Sequence, residues 1–241
     1  MISYAHSHSR DESDTSAPVR VAISEALDQL FLLDSPEATE VLLVREAEPD
    51  LEGAMRPGNP DPPLTERGRC QAMRLAMRLR RERLDAVYTS TSRAALETAA
   101  VVAAAKDLPM VRLPQLGNVA VARGAAPANR DRRRLAAEMA VRFLNNPRWD
   151  ALRAFESTRK FRHRAIQTAE AVVSRHPGER IVLVTHDSVI NAYLSMILSI
   201  ERDMFFMPRH ASLSTVRVLR DLYGVQNIND CSHLMKTFAP R

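Results

Sequence analysis

Two short clusters hold the residues best suited to chemistry in this chain. Arg45-Glu46-Ala47-Glu48 begins as the apolar run Glu40-Val41-Leu42-Leu43-Val44 ends, and His186-Asp187 follows Ile181-Val182-Leu183-Val184-Thr185. A carboxylate such as Glu46 can attack phosphorus, as carboxylates do in enzymes that form aspartyl phosphates, and an imidazole such as His186 can carry a proton near neutral pH. Arg45 can hold an anionic ligand. Glu46, Glu48, His186 and Asp187 together could instead gather a divalent cation that activates water, but their spacing alone does not make them converge. Each residue also has a plainer role: Arg45 pairing with Glu46 or Glu48, Asp187 capping a helix that begins near Ser188, and His186 hydrogen-bonded and inert.

The segments around these clusters predict what must position them. Residues 40–44, 85–89 and 181–185 read as short buried strands, with a last strand over residues 213–219. Helices are expected after Thr65, which can cap one ending near Leu84, and over residues 92–105, 158–175 and 188–198. Strands alternating with helices argue an α/β fold, a three-layer α/β/α sandwich with a largely parallel central sheet. In such sheets ligands lie off the carboxyl ends of the strands, which brings Arg45, Ser90 and His186 to one place. Residues 1–18 are polar and read as a flexible N-terminal tail, followed by a single domain over residues 19–241. Within it, residues 21–33 read as a short helix or clasp packed on the domain. Residues 113–157 read as a variable insertion or lid, with a basic, alanine-rich helical stretch over residues 132–144.

Several motifs then fall in a familiar order. Val44-Arg45-Glu46-Ala47-Glu48 resembles a strand ending in R-H-G-E or R-H-A-E, and Pro63-Leu64-Thr65-Glu66-Arg67-Gly68 resembles P-L-T-x-x-G. Asp85-Ala86-Val87-Tyr88-Thr89-Ser90 is similar to D-x-V-Y-S-S, and Leu96-Glu97-Thr98-Ala99 to the end of S-P-L-x-R-A-x-x-T-A. Val182 to Ile190 is similar to V-V-S-H-G-G-V-I, with Ala211-Ser212-Leu213 like the N-A-S-V turn after it. Taken together over residues 40–219, these resemble the histidine phosphatase (phosphoglycerate mutase-like) superfamily. The resemblance implies a pocket of two arginines, two histidines and a carboxylic acid, in which one histidine attacks phosphorus.

Carried over residue by residue, Arg45 and His186 match that pocket, whereas Glu46 stands at the nucleophile and Ala94 at the second arginine. Arg93 lies one residue early, about 100° around a helix, and would have to curl back to serve. Asn118 aligns with the acid, and Asp187 could replace it, since an H-D pair supplies the proton donor in the acid phosphatase branch. The resemblance thus implies a degenerate member, a pseudophosphatase acting by ligand or protein binding. The alternative is an active phosphomonoesterase on a small phosphorylated metabolite, using Glu46 or a metal-activated water. Glu46, His186 and Asp187 are the candidate catalytic positions. Arg45, Arg93, Ser90 and Asn118 are the candidate ligand-binding residues.

Composition bounds the remaining classes. The chain has 241 residues, 45% apolar and 26% charged, enough for one sizeable core. No apolar run reaches membrane-spanning length and the N-terminus lacks the apolar region of a secretory signal, so a cytoplasmic protein without membrane attachment is expected. Cys70 and Cys231 are isolated thiols expected to serve packing. A net charge of +5 raises nucleic acid as a partner. However, the arginines from Arg67 to Arg83 have the spacing of a solvated helix face and few aromatics interleave to stack on bases, so nucleic acid is not expected. A third alternative is a polyanion-binding surface around Arg130 to Arg134, which would show itself as steep salt dependence. No metal and no cofactor is expected. The partners expected are a small anionic ligand or a protein, and Met204, Phe205, Phe206 and Met207 would suit either a core or a homodimer contact. His163 and His176 are expected to be solvated.

Overall fold

The computed structural model describes residues 16–31, 35–54, 61–121, 132–151 and 155–235. Strand β1, Thr39–Arg45, lies at the heart of the sheet because Val41, Leu42, Leu43 and Val44 leave neither face polar, and all are at most 6% exposed. Strands β2 (Ala86–Thr89), β3 (Met110–Arg112), β4 (Arg180–Thr185), β5 (Leu213–Leu219) and β6 (Leu222–Asp230) complete a six-stranded sheet in the order β3-β2-β4-β1-β5-β6.

Strands β1 to β4 run parallel, while β5 lies antiparallel to β1 and β6 antiparallel to β5. The sheet is therefore largely parallel, as expected, with an antiparallel pair, β5 and β6, at one edge. After the last long helix, residues 198–212 bring the chain back to the carboxyl end of β1, where Ala211 N donates to the Arg45 carbonyl at 3.0 Å and Arg45 N to the Ser212 carbonyl at 3.3 Å. From there β5 can only run backwards along β1. The β5–β6 hairpin turns at Arg220, whose φ of 55° lies in the left-handed region.

Helices cover both faces. The long ones are α1 (Ser16–Leu30), α3 (Glu66–Leu79), α4 (Arg93–Lys106), α5 (Arg132–Asn145), α6 (Thr158–Val173) and α7 (Asp187–Ile197), with one short turn, α2, at Leu51–Ala54. Helices α3 and α4 bury Leu75, Leu79, Ala99 and Val102 against Leu42, Val44, Val182 and Val184. Helices α6 and α7 bury Phe161, Ala165, Tyr193 and Leu194 against Val41, Leu43, Leu183 and Val216. Each fully buried Leu or Phe contributes about 1.5–3 kcal/mol, so these two clusters hold the three layers together. Among the described residues, no helix is long and apolar enough to cross a membrane.

Several local expectations are corrected. Helix α3 stops at Leu79, short of Leu84, and strands β3 and β6 lie where no strand was predicted. Helix α1 forms, but Val19, Val21, Ile23, Leu27 and Leu30 are all about half exposed, so it is not a clasp packed through its apolar residues. It begins at Ser16, inside the segment expected to be a tail; residues 1–15 lie outside the described residues. In the insertion, the helix at residues 132–144 is present as α5, and Trp149 stacks on Phe155 with ring centroids 5.6 Å apart against the α6 core. Of the basic cluster, Arg130 and Asp131 lie outside the described residues. His176 is not solvated: its ring meets the Tyr88 hydroxyl at 2.8 Å and Glu179 at 2.5 Å. Cys231 is buried as expected, whereas Cys70 is exposed.

Candidate functional site: a buried carboxylate between Arg45 and His186

The carboxyl ends of β1, β2 and β4 bring Arg45-Glu46, Ser90 and His186 together. Glu46 N donates to the Thr185 carbonyl at 2.9 Å and Ser90 N to the Val184 carbonyl at 3.0 Å, which ties the three strand ends into one rim. The bend after β1 is held by α4: Thr98 Oγ1 accepts from Ala47 N at 3.0 Å while donating to the Ala94 carbonyl at 2.7 Å. On the other side Thr65 caps α3, its Oγ1 accepting from Gly68 N at 2.9 Å, and its hydroxyl meets Glu48 Oε1 at 3.0 Å. The predicted cap is thus also the support of Glu48.

Glu46 and His186 face each other inside the rim, 7% and 6% exposed. Glu46 Oε2 lies 3.4 Å from His186 Nδ1, and Glu46 Oε1 lies 3.9 Å from Arg45 Nε. These are ion-pair distances rather than hydrogen bonds, and both Glu46 Oε2 and Arg45 Nε are buried with no hydrogen-bond partner. His186 Nε2 meets the Ser90 hydroxyl at 2.9 Å, and Ser90 Oγ lies 3.4 Å from Ser92 Oγ. The sequence of contacts, serine to histidine to carboxylate, has the connectivity of an activated nucleophile. The Ser90 residue is 0% exposed, however, so no substrate carbon or phosphorus can approach its hydroxyl in this arrangement.

Arg45 is spread over several partners. Its Nη1 donates to the Pro208 carbonyl at 2.7 Å and its Nη2 lies 3.3 Å from Asp187 Oδ2. Asp187, the first residue of α7, also accepts from Ser188 N through Oδ1 at 2.7 Å, so it serves one N–H of the helix's first turn as well as Arg45, while the N-cap position itself is His186. Its side chain is aimed at neither Glu46 nor Ser90, but at a guanidinium and a helix end.

Two of the sequence-derived ligand residues stand apart. The Arg93 side chain is 55% exposed and its Nε bonds Glu97 Oε1 at 2.9 Å, one turn along α4, while its backbone N–H is held by Asp61. The residue that does face inward at this turn is Ala94, 5% exposed among Ala47, Leu64, Ala72 and Ala211. The one-residue offset on a helix is the reason, because about 100° of rotation separates neighbours. Asn118 is likewise directed elsewhere: its Oδ1 accepts from Ser188 Oγ at 2.6 Å and from Val119 N at 2.8 Å, locking the loop after β3 onto α7. The metal alternative also loses its geometry. Glu48 is engaged by Thr65 and, at 3.4 Å, by Arg67, and among the described residues no three His, Cys, Asp or Glu side chains are grouped to hold a metal ion.

One residue that sequence reasoning missed is His210, whose Nδ1 donates to the Glu46 carbonyl at 3.1 Å. It stands directly before Ala211-Ser212-Leu213, and only that adjacency could have signalled it. Burial, then the Arg45 charge, push its pKa below the ordinary histidine range, against the pull of the Glu46 carbonyl. His233, bonded to the Ala211 carbonyl at 3.0 Å, is lowered too, chiefly by burial. Both imidazoles bind protons more readily unfolded than folded, so they remove stability as pH falls through the unfolded histidine value of about 6.5. Thermal unfolding of a His210→Gln/His233→Gln variant is therefore expected to show a smaller loss of Tm between about pH 8 and 5, the range in which histidine charge changes, than the parent shows. Parallel curves would refute this assignment.

A family profile described as the histidine phosphatase superfamily, branch 1, matches residues 41–230, and the chain belongs to that superfamily. Phosphoserine phosphatase 1 of Hydrogenobacter thermophilus is 27% identical over 198 residues, spanning 81% of this chain and 94% of the relative. A metal-independent phosphoserine phosphatase of Arabidopsis thaliana is 28% identical over 204 residues, spanning 82% of this chain and 84% of the relative. Among solved structures, YhfR of Bacillus stearothermophilus superposes with a TM-score of 0.71 at 28% identity, covering 82% of this chain and all of that one. A mycobacterial glucosyl-3-phosphoglycerate phosphatase shares the fold with a TM-score of 0.65 at 20% identity, covering 79% and 98%.

Proposed function

We propose that this chain is a histidine phosphatase-fold protein that works by binding rather than by phosphohistidine turnover. The observation that carries the proposal is the buried Glu46 carboxylate placed between Arg45 and His186. It stands where the resemblance puts the attacking histidine, and it occupies with its own negative charge the ground that a phosphoryl group would need. At an effective dielectric near 20, a like charge about 4 Å away costs on the order of 4 kcal/mol per charge. The compensating cations are few: Arg45 is shared with Asp187, Ala94 brings none, and Arg93 is turned outward to Glu97. A phosphate monoester is therefore expected to bind weakly at Glu46.

The second reading is supported by the company this chain keeps, since two relatives are named phosphoserine phosphatases. In that case Glu46 would attack as a carboxylate or serve as a base. Release of phosphate from a panel of phosphomonoesters including phosphoserine, with and without divalent metal, separates the two. The expected result is no release above that of a Glu46→Ala control. Turnover that disappears in Glu46→Ala would overturn the binding proposal and make Glu46 the working group.

A further inference from the structure

Beside this centre, on the α3 side of β1, lies a cleft of about 850 Å³. Its walls come from the exposed flank of α3, from the loop at residues 207–210 and from the turn at Ser232–Leu234 with its flanks. Ser90, His186 and Asp187 do not line it. Arg45 stands at the border, with Nη1 reaching the Pro208 carbonyl and Met207 Sδ at 3.7 Å.

The charge of this cleft is one-sided. Its lining has the guanidiniums of Arg45, Arg67, Arg74 and Arg209 against the single carboxylate of Glu48. Arg67 is 3.4 Å from Glu48 and Arg45 is shared with Asp187, so two of the four are already compensated. Arg74 gives one nitrogen to the Leu234 carbonyl at 2.9 Å, a neutral partner, and Arg209 is anchored by its backbone N–H to Asn229 at 2.8 Å, leaving its guanidinium out of that bond. Neither Arg74 nor Arg209 is in an ion pair among the described residues. Met207 and Met235, 63% and 69% exposed, supply adaptable apolar surface beside them.

We propose that this cleft is a binding site for a small organic polyanion, a molecule with at least two phosphate or carboxylate groups on a compact body. The volume suits a small ligand, the two uncompensated guanidiniums set the number of anionic groups, and the methionines take the neutral part. A single inorganic phosphate offers one anionic group in place of two and should bind more weakly. The proposal deepens the binding function proposed above and rests on it only for its use in the cell. Whether Glu46 turns over substrate is read by phosphate release, and the cleft is read by binding, so either can fail without the other.

The test is calorimetric titration of the full chain with pyrophosphate, citrate, ATP and inorganic phosphate. It compares the parent with Arg74→Glu/Arg209→Glu and with Arg80→Glu/Arg81→Glu, an equal charge change at exposed residues just past α3. At least one of the polyanions is expected to bind more tightly than inorganic phosphate, and the cleft variant to weaken it by about tenfold or more while the control pair changes it little. An Arg74→Gln/Arg209→Gln variant, with unchanged thermal unfolding, should weaken it in the same direction. No binding of any probe, or equal weakening in the cleft and control variants, would overturn the proposal.

Discussion

Replacing Glu46 by histidine and Ala94 by arginine together is expected to raise phosphate release well above that of the parent. The histidine restores a neutral nucleophile facing His186 and removes the carboxylate that repels the phosphoryl oxygens. The arginine adds the cation that Arg93 cannot supply, because its guanidinium is committed to Glu97 on the outer side of α4. One group aimed at developing charge in a dry site is worth about 10²–10³ in rate, so the double variant should exceed Glu46→His alone by about that factor. Ala94 packs among Ala47, Leu64, Ala72 and Ala211, and an arginine there must extend toward Glu46 rather than into that cluster. Urea unfolding of each variant separates lost folding from absent chemistry. Glu46→Gln serves as the electrostatic control: it keeps the shape, removes one charge, and is expected to tighten inorganic phosphate without producing turnover. A folded double variant with no release from any monoester, or a Glu46→Gln protein with unchanged phosphate affinity, would show that charge at Glu46 does not govern phosphate binding or turnover here.

Gly68→Ala is expected to be among the most damaging single substitutions. A Cβ at Gly68 would lie 2.2 Å from the Glu48 carbonyl oxygen and 3.1 Å from Glu48 N, both backbone atoms. The helix cannot yield easily, because Gly68 N is the donor to the Thr65 cap and Gln71 Oε1 accepts from Glu48 N at 2.9 Å. Overpacking of this kind costs about 1–3 kcal/mol and loss of a helix cap about 1 more, which together move Tm down by roughly 4–16 °C in a domain of this size. The strand end that positions Glu46 shifts with it. An unchanged Tm in differential scanning calorimetry would mean that α3 and the segment after β1 are not held in the close contact described.

The two substitutions probe the two levels at which the chain could be understood from its residues. The buried strands were plain in Glu40 to Val44 and Ile181 to Thr185, since a run without polar alternation can only sit between two helical layers. The Thr65 cap was legible because a short hydroxyl before a helical pattern has few other uses. The strand ends then brought Arg45, Ser90 and His186 together, as the expected α/β order required. The parallel run of β1, β2 and β4 was legible in the alternation, but the direction of the last two strands was not: β5 and β6 reverse because residues 198–212 carry the chain back to the end of β1, and no local pattern encodes a return path.

What the sequence by itself determined is therefore the superfamily, the layered fold and the identity of the groups at the rim, Glu46 and Ala94 included. Those follow from residue type and order. Only the tertiary structure decided what each group faces. Arg93 looks outward, Asn118 serves Ser188, Asp187 divides itself between a helix end and Arg45, and His210 reaches back to the Glu46 carbonyl over a separation of 164 residues. Arg74 and Arg209, unremarkable in the sequence, line one cleft. Helix rotation, loop return and ion pairing set these directions through contacts between distant segments, and such contacts leave no periodic trace in the chain.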